Sequence, residues 1–267
     1  MDERRAAAGT EPVRRTVSTD RRGAAPALGV STLIVVVACI EGLIRANVIN
    51  PFVVPLPSQV LAAIPRIVAE EDIPHRFWQT MQEALWASLL LIVVGIALGM
   101  LLFRFRLLRR ACETGIAALA SAPIVLMYPL FLVIFGRSAT TIVMIGFIAG
   151  LPPVILKTVE GLAGTRKVLL DVGRSFRLAD AQLFRKILLP AAMPSIFVGL
   201  RLGLIFALIN IVGVEFLINF GGLGQLINEL AERYDLPGMY GAIGFVILVS
   251  VVFFVTDRIE KWLRPAD

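Results

Sequence analysis

The sequence contains few of the residues from which proteins build disulfides and metal sites. Its 267 residues include two cysteines and a single histidine, His75. Cys39 lies inside one apolar run and Cys112 near the start of another, and neither has neighbours at a metal-ligand spacing. We therefore expect no disulfide framework, no metal site and no bound cofactor.

Motifs that mark catalytic sites are also missing from the sequence. A protein that hydrolyses ATP needs a glycine-rich loop ending in Lys-Ser or Lys-Thr to hold the phosphates, and no such loop occurs. Neither H-E-x-x-H nor G-x-S-x-G is present. We therefore predict that the chain is not itself an enzyme.

Charge is scarce and apolar residues are abundant. Only 17% of the residues are charged, whereas 57% are apolar, and the mean hydropathy is +0.82. This composition is typical of a protein whose solvent is a lipid bilayer. The net charge of +6 does not indicate nucleic acid, because the basic residues stand between apolar stretches and form no aromatic-rich reading pattern.

Six apolar runs are long enough to approach the roughly 20 residues that a transmembrane helix needs. We therefore predict an all-α, polytopic membrane protein with about six transmembrane helices. Only Gly136–Ser138 separates the third run from the fourth, so one long broken helix, giving five spans, is the alternative. The runs lie near residues 28–48, 84–105, 115–135, 139–156, 195–217 and 239–256.

The distribution of lysine and arginine predicts the orientation in the cell membrane. Twenty of the 26 basic residues fall in residues 1–27, 104–110 and 157–188 or after residue 257, and such loops stay cytosolic. Both termini are therefore expected in the cytosol. We expect residues 1–27 to be a disordered cytosolic tail, residues 28–262 the transmembrane domain, and residues 263–267 a second cytosolic tail.

The segment 174–190 is basic and partly amphipathic. Apolar residues recur at helical spacing from Phe176 to Ile187, and the basic residues fall mostly on other faces. Pro190 and Pro194 then mark the start of the fifth apolar run. Two interpretations fit this pattern: a helix that docks a cytosolic partner, or a helix that rests on anionic lipid headgroups.

The order of residues in this segment, DVGRSFRLADAQLFRKILLP, resembles the cytoplasmic loop of binding-protein-dependent ABC transporter permeases. In that family an acid and two small residues are followed by a glycine and, ten positions later, by Ile-x-Leu-Pro. Ile187, Leu189 and Pro190 match the end of the pattern. Asp171 stands in for the usual glutamate.

Four other stretches extend the resemblance over about residues 50–262 and are similar to the nitrate, sulfonate and taurine branch of these permeases. They are FVVPLPSQVLAAI, SAPIVLMYPLFLVIFGRSATTIVMI, PSIFVGLRLGL and GVEFLINFGGLGQLI. The resemblance implies the permease subunit of an ATP-driven importer, which forms the pathway for a small anion such as a sulfonate or nitrate. The alternatives are a permease for a vitamin precursor and a secondary transporter driven by an ion gradient.

The same resemblance implies three protein partners within the membrane assembly. These are a cytosolic ATP-binding subunit docked on a coupling loop at about residues 157–190, an extracytoplasmic solute-binding protein, and a second permease subunit, identical or paralogous. The coupling role falls on Asp171, Gly173, Phe176, Arg177, Leu183, Ile187, Leu189 and Pro190. The translocation path or outer gate is assigned to Asn210, Glu215, Gly222 and Gly224.

Arg177 occupies the position where the family pattern has a glycine, and Val172 and Gly173 meet the pair of small residues only in part. Glycine would adopt a positive φ easily at a turn between two short helices, whereas arginine does so at a cost. We expect the segment either to turn at Gly173 or to run as a more continuous helix, with Arg177 reaching an acidic residue of the ATPase. The alternative is that the turn persists and Arg177 is solvated.

Polar residues inside the apolar runs need partners, because a lone charge costs about 2.5–3.5 kcal/mol at the centre of a membrane helix. Glu41 and Arg45 are four residues apart, so we expect them to pair. Glu215 has either a gating role or a structural one, such as satisfying nearby amides, and Arg201 is expected to be an interfacial anchor. An intramembrane enzyme would have to use Glu41, Glu215, Arg201 and Asn210.

Glycine and proline positions give two further expectations. Gly95 and Gly99 form a G-x-x-x-G spacing, which we expect to pack helices within the subunit rather than between subunits. Four prolines are expected to break the third and fourth spans, either lining a pathway or permitting bends. They are Pro123, Pro129, Pro152 and Pro153.

Overall fold

The computed structural model describes residues 24–254, and every regular element in that range is helical. The predicted tail of residues 1–27 lies outside the described residues except for 24–27, with which the first helix begins, and the tail of residues 263–267 lies wholly outside them. The α-helices of the described range are α1 (Ala24–Arg45), α2 (Pro57–Glu70), α3 (Ile73–Leu90), α4 (Ile96–Arg104), α5 (Arg106–Ser121), α6 (Tyr128–Phe135), α7 (Ala139–Ala163), α8 (Lys167–Ser175), α9 (Asp180–Leu183), α10 (Leu189–Ile218), α11 (Gly222–Glu232) and α12 (Leu236–Phe254).

Short π-helical turns join two pairs of these helices into longer ones. Leu91–Gly95 connects α3 to α4, and Phe184–Leu188 connects α9 to α10. Each junction keeps the chain helical, so Ile73–Arg104 and Asp180–Ile218 are continuous helical segments of 32 and 39 residues. Both are longer than the bilayer requires, so each extends beyond the hydrocarbon core at one end or both.

The all-α membrane fold predicted from the apolar runs is confirmed. Four helical segments of the described range are long and apolar enough to cross a bilayer: Leu28–Arg45, Ile73–Arg104, Ala139–Ala163 and Asp180–Ile218. A fifth is the bent pair formed by α5 and the segment Ile124–Phe135, and α12 is a shorter apolar helix within the described residues. Within residues 24–254 the apolar runs counted in the sequence therefore fall mainly in helices, which give four or five span candidates against the six predicted.

The third apolar run is not the straight span that its hydropathy predicts. The chain bends by 92° between α5 and Ile124–Phe135. Ala122 is extended at the break, with ψ 136°, because the ring of Pro123 disfavours a helical conformation for the residue before it. The third span is therefore either broken or re-entrant.

The predicted breaks at Pro152 and Pro153 do not occur, since both lie inside the uninterrupted α7. Gly199 of α10 lies directly against the carbonyl of Pro153, so the neighbouring helix holds the backbone in place at this point. The described residues give four span candidates, or five with the bent pair, so the five-span alternative stays open. α6 ends at Phe135, Gly136 adopts φ +69°, and α7 starts as a separate helix at Ala139.

Helices α7 and α10 form the centre of the bundle and approach each other through glycine. A methyl group on Gly203 would lie 2.7 Å from the carbonyl oxygen of Gly150, and one on Gly146 would lie 2.7 Å from the Ile211 side chain. Small residues at such contacts let membrane helices pack by close backbone approach. We call this row of contacts, formed by Gly146, Gly150, Gly161, Gly199 and Gly203, the glycine seam.

The expectation for Gly95 and Gly99 is confirmed, because both pack against α7 of the same chain. A methyl group on Gly95 would lie 2.9 Å from Val154, and one on Gly99 would lie 2.5 Å from Thr158. The G-x-x-x-G spacing therefore joins the second span to the centre of the bundle.

Glu41 of α1 contacts both its own helix and the start of α2. As predicted, Arg45 pairs with Glu41 at 2.6 Å. The same carboxylate also accepts hydrogen bonds from the Ser58 backbone N–H (3.1 Å) and hydroxyl (2.9 Å) at the start of α2. An anionic group is favourable at a helix N-terminus, so Glu41 fastens α1 to α2.

Substituting Gly150→Ala tests the glycine seam. The added methyl group would meet the backbone of Gly203, which cannot move away as a side chain would. We expect the melting temperature of the detergent-purified protein to fall by roughly 5 °C. Gly115→Ala is the matched control, because a methyl group there meets nothing within 4 Å, and it should leave the melting temperature unchanged or raise it. An equal fall in melting temperature for Gly150→Ala and Gly115→Ala would contradict the close packing of α7 and α10 at the glycine seam.

Candidate functional site

The segment between α7 and α10 folds as two short helices that meet at an angled turn. α8 ends at Ser175, α9 begins at Asp180, and Arg177 between them adopts φ +51°. The Arg177 N–H donates to the Arg174 carbonyl (2.8 Å), and the Leu178 N–H donates to the Gly173 carbonyl (3.1 Å). This pair of bonds is the Schellman helix ending, in which the left-handed residue is usually glycine.

Both versions of the expected geometry for this turn are therefore wrong. The chain does not turn at Gly173, and α8 does not continue as a helix past Arg177. Arg177 takes the left-handed conformation in place of the glycine of the family pattern. Its side chain is exposed and forms no ion pair with any residue between 24 and 254, as the alternative predicted.

Gly173 has a packing role inside this turn. It is buried, and a methyl group there would lie 2.6 Å from the Ile187 side chain and would also collide with Leu183. The absence of a side chain thus lets α8 lie against α9 and the π-helical turn. Since this contact holds the two arms of the turn together, it fixes the conformation at Arg177.

The predicted coupling residues fall into two groups in the structure. Gly173, Leu183, Ile187 and Leu189 are buried or half-buried within the segment. The exposed members are Asp171, Phe176, Arg177 and Pro190.

An exposed apolar stripe crosses α8 and the turn. Val168, Val172 and Phe176 are exposed by 70%, 47% and 77% of their surfaces. Their spacing of four residues places them on one face of the helix. Val168 was missed by the sequence analysis, and Val172 was considered only as a small residue. The i, i+4 spacing that ends at Phe176 was the available signal for both.

The second candidate site lies where α10 ends and the chain turns back into α11. Asn219, Gly221 and Gly222 adopt positive φ values of 49°, 118° and 76°. These three residues reverse the chain within four positions. The reversal brings the N-terminus of α11 against Glu215 in the last turn of α10.

Glu215 is fully buried and accepts two hydrogen bonds. One comes from the Gly224 N–H to Oε2 (2.8 Å), and the other from the Thr80 hydroxyl of α3 to Oε1 (2.7 Å). The Thr80 oxygen in turn accepts a bond from the Leu223 N–H (2.9 Å). The Gly222 N–H donates to Gln79 Oε1 (3.0 Å). The first backbone N–H groups of α11, which have no partner within their own helix, are thus satisfied by α3 and α10.

The glycines of this turn make room for the Glu215 carboxylate. A methyl group on Gly222 would lie 2.6 Å from Glu215 Oε2, and one on Gly224 would lie 2.6 Å from the Glu215 Cβ. The structural role considered for Glu215, satisfying nearby amides, is therefore present.

Asn210 does not join Glu215, Gly222 and Gly224. Its side-chain amide donates to the Phe206 carbonyl of its own helix at 2.8 Å. Three residues of α3 that the sequence did not assign lie at this site instead: Gln79, Thr80 and Glu83. These polar residues at helical spacing escaped the sequence analysis because the second apolar run was counted only from residue 84.

Ion pairs join α2, α3 and a residue between them to α11 and the short connection before α12. Arg76 pairs with Glu229 at 2.9 Å, and Arg233 pairs with Glu71 at 2.7 Å. Arg66 pairs with Asp235, and hydrogen bonding to this carboxylate raises the pKa of the Arg66 guanidinium above its usual value. Among residues 24–254, no three acidic, cysteine or histidine side chains are grouped as metal ligands.

The substitution Arg177→Gly tests the turn at the first site. Relief of the left-handed conformation, which costs arginine about 1–2 kcal/mol, should slightly exceed the added chain entropy of glycine. We expect an equal or slightly higher melting temperature. Arg174→Gly is the matched control: it removes the same exposed charge from inside α8 and should lower stability by about 1 kcal/mol. If both variants lose stability equally, residue 177 is not held in the left-handed conformation.

Comparison with known proteins identifies a family from the sequence and a similar fold among solved structures. The family described as the binding-protein-dependent transport system inner membrane component matches residues 91–266, which include α8, α9 and the α10–α11 turn but not α3. The inward-facing MetNI methionine ABC transporter has a chain of similar fold, with a TM-score of 0.63 and 22% identity, covering 72% of this chain and 96% of that one.

Two relatives show how widely the similarity extends. The formylaminopyrimidine transport permease protein ThiX of Halalkalibacterium halodurans is 25% identical over 81% of this chain and 86% of its own length. The glycine betaine/proline betaine transport system permease protein ProW of Escherichia coli is 30% identical over 68% of this chain and 51% of its own. The chain belongs to the family of binding-protein-dependent transport system inner membrane components.

Proposed function

We propose that this chain is the permease subunit of an ATP-driven importer and that the segment 166–190 couples it to a cytosolic ATP-binding subunit. The observation that carries the proposal is the helix–turn–helix of α8 and α9, which presents an exposed apolar stripe and continues without a break into α10. The helical segment Asp180–Ile218 has 39 residues and is therefore roughly 60 Å long. It extends from the proposed docking surface to Glu215, which holds the N-terminus of α11.

Two features of the turn support a protein partner. Phe176 is exposed by 77%, at the end of a stripe that also contains Val168 and Val172. Arg174, Arg177, Arg185 and Lys186 are exposed around it and suit an acidic partner surface. An apolar centre with a charged rim is the usual anatomy of a protein interface. Lipid headgroups are the alternative occupant of this surface.

Charge placed in the apolar stripe tests the docking surface. Phe176→Asp and Val168→Asp should each reduce co-purification of the ATP-binding subunit at least tenfold, because a buried carboxylate would be left without a partner. Ala181→Asp is the control, since it adds the same charge at an exposed position of α9 outside the stripe. Leu183→Asp is unsuitable because Leu183 packs inside the turn.

Full ATPase binding by both stripe variants would overturn the docking surface. Loss of binding to anionic vesicles in the same variants, with ATPase binding retained, would instead assign the stripe to lipid. Arg177→Gly adds a further test. Weaker and salt-sensitive assembly would indicate an ion pair between Arg177 and the ATPase, whereas unchanged assembly would indicate a solvated side chain.

The orientation with both termini and the segment 157–190 in the cytosol is part of this proposal. It is supported by the basic residues of that segment and by the acidic residues of the opposite loops. With Cys39 and Cys112 replaced, a single cysteine at Ala181 should resist a membrane-impermeant thiol reagent in intact cells. A single cysteine at Asp72 should react. Labelling of the Ala181 position from outside would contradict the orientation.

The remaining partners follow from the same proposal. An extracytoplasmic solute-binding protein would deliver the ligand, and a second permease subunit, identical or paralogous, would complete the pathway. An apolar groove of about 420 Å³ between α10 and α12, lined by residues that include Leu204, Leu208 and Val246, offers a surface for that second subunit.

The transported solute remains a prediction. The small anion expected from the sequence has no counterpart among the compared relatives, whose names specify a formylaminopyrimidine and glycine betaine or proline betaine. A vitamin precursor stays the alternative. The ligand can be identified by mass spectrometry of the solute-binding protein encoded beside this chain. Uptake that persists when the partner ATPase lacks its phosphate-binding lysine, yet collapses with an ionophore, would show a secondary transporter instead.

A further inference from the structure

Two carboxyl groups lie together inside the helical bundle. Glu83 of α3 is 8% exposed, and Glu215 of α10 is completely buried. Glu83 follows Thr80 by three residues, so the two side chains share one face of α3, and Thr80 donates a hydrogen bond to Glu215. The Glu83 and Glu215 carboxyl groups themselves lie within hydrogen-bonding reach of each other.

The hydrogen bonds around Glu215 identify it as an acceptor at both oxygens. The Gly224 N–H can only donate, and it points at Oε2. The Thr80 hydroxyl accepts from the Leu223 N–H and gives its own hydrogen to Oε1. This pattern satisfies an ionised Glu215 without any bound proton.

Glu83 has no such set of donors. As a carboxylate, it would leave its buried Oε2 atom without a hydrogen-bond partner. It would also place a second negative charge beside Glu215 in a water-poor interior, which is the arrangement in which paired carboxyl groups retain a proton. As a neutral acid, Glu83 becomes a donor and Glu215 is its nearest available acceptor.

No cation of the described part of the chain offsets this pair of charges. Neither carboxyl group forms an ion pair with a residue between 24 and 254. On α3, Arg76 is held by Glu229 of α11, and on α7 Lys157 is held by Glu160 at 2.7 Å. The described part of α12 contains no charged residue. Within residues 24–254, a proton on one of the two carboxyl groups would lower the charge of the pair.

We propose that Glu83 and Glu215 together bind one proton, which Glu83 carries and donates to the ionised Glu215. The proton is taken from hydronium in the solvent, which becomes water, and it forms an O–H bond on Glu83. The bound proton joins α3 to the α10–α11 turn, since Glu215 at the same time holds the N-terminus of α11. Loss of the proton would leave two carboxylates facing each other and would drive α3 away from that turn.

The two glutamates should respond differently to replacement by glutamine. Glu83→Gln keeps a neutral donor of the same shape, so the melting temperature of the detergent-purified chain should change by no more than a few degrees. Glu215→Gln replaces one acceptor oxygen with an NH₂ group that faces the Gly224 N–H or the Thr80 hydroxyl, and the melting temperature should fall by roughly 10 °C. Glu113→Gln, at an exposed site of α5, is the matched control.

Infrared spectroscopy detects the proton directly and needs no transport assay. The carboxylic-acid C=O band of the wild-type protein at neutral pH should disappear in Glu83→Gln and persist in Glu113→Gln. A wild-type protein without this band, or a Glu83→Gln variant that retains it, overturns the proposal. A loss of stability in Glu83→Gln as large as that in Glu215→Gln also overturns it. If Glu215→Gln does not fold, the infrared band and the melting temperature of Glu83→Gln still test whether Glu83 carries the proton.

Discussion

The hydrogen bonds that the buried Glu215 accepts join the distant helix α3 to the consecutive helices α10 and α11. They satisfy backbone groups at the start of α11, which lie inside the protein where water cannot replace a missing partner. Gly222 and Gly224 follow from this constraint, because a side chain at either position would occupy the space of the carboxylate. The polar face of α3 follows as well, since Gln79 and Thr80 supply the remaining acceptors.

What the sequence predicted depended on how local each interaction is. The apolar runs and the Glu41–Arg45 pair follow from neighbouring residues along one helix, and both are present. The contact between Thr80 and Glu215 spans 135 residues, and no single-helix pattern reports it. The coupling residues show the same division: the exposed Phe176 was recognisable from local spacing, whereas the internal role of Leu183 depends on a contact with Gly173.

Arg177 shows why a local preference can fail. Arginine disfavours the left-handed conformation by about 1–2 kcal/mol, which is why the sequence argued against a turn at this position. The turn forms nevertheless, because the contacts of Gly173 with Leu183 and Ile187 outweigh that cost. In α7, by contrast, prolines that are expected to break a helix are held within it by the adjacent α10. In both places tertiary packing decides the backbone conformation.

The glycine seam has a mechanical consequence for the bundle. Where backbone meets backbone, no side-chain rotamer can change the separation of α7 and α10, so the two helices have little freedom to slide or spread. A displacement applied at either end of α10 is therefore shared by α7 as if the pair were one rod. Bending of the bundle is therefore expected outside this helix pair. The 92° bend before Ile124 and the two π-helical turns are suitable places, because the helical hydrogen bonds are already irregular there.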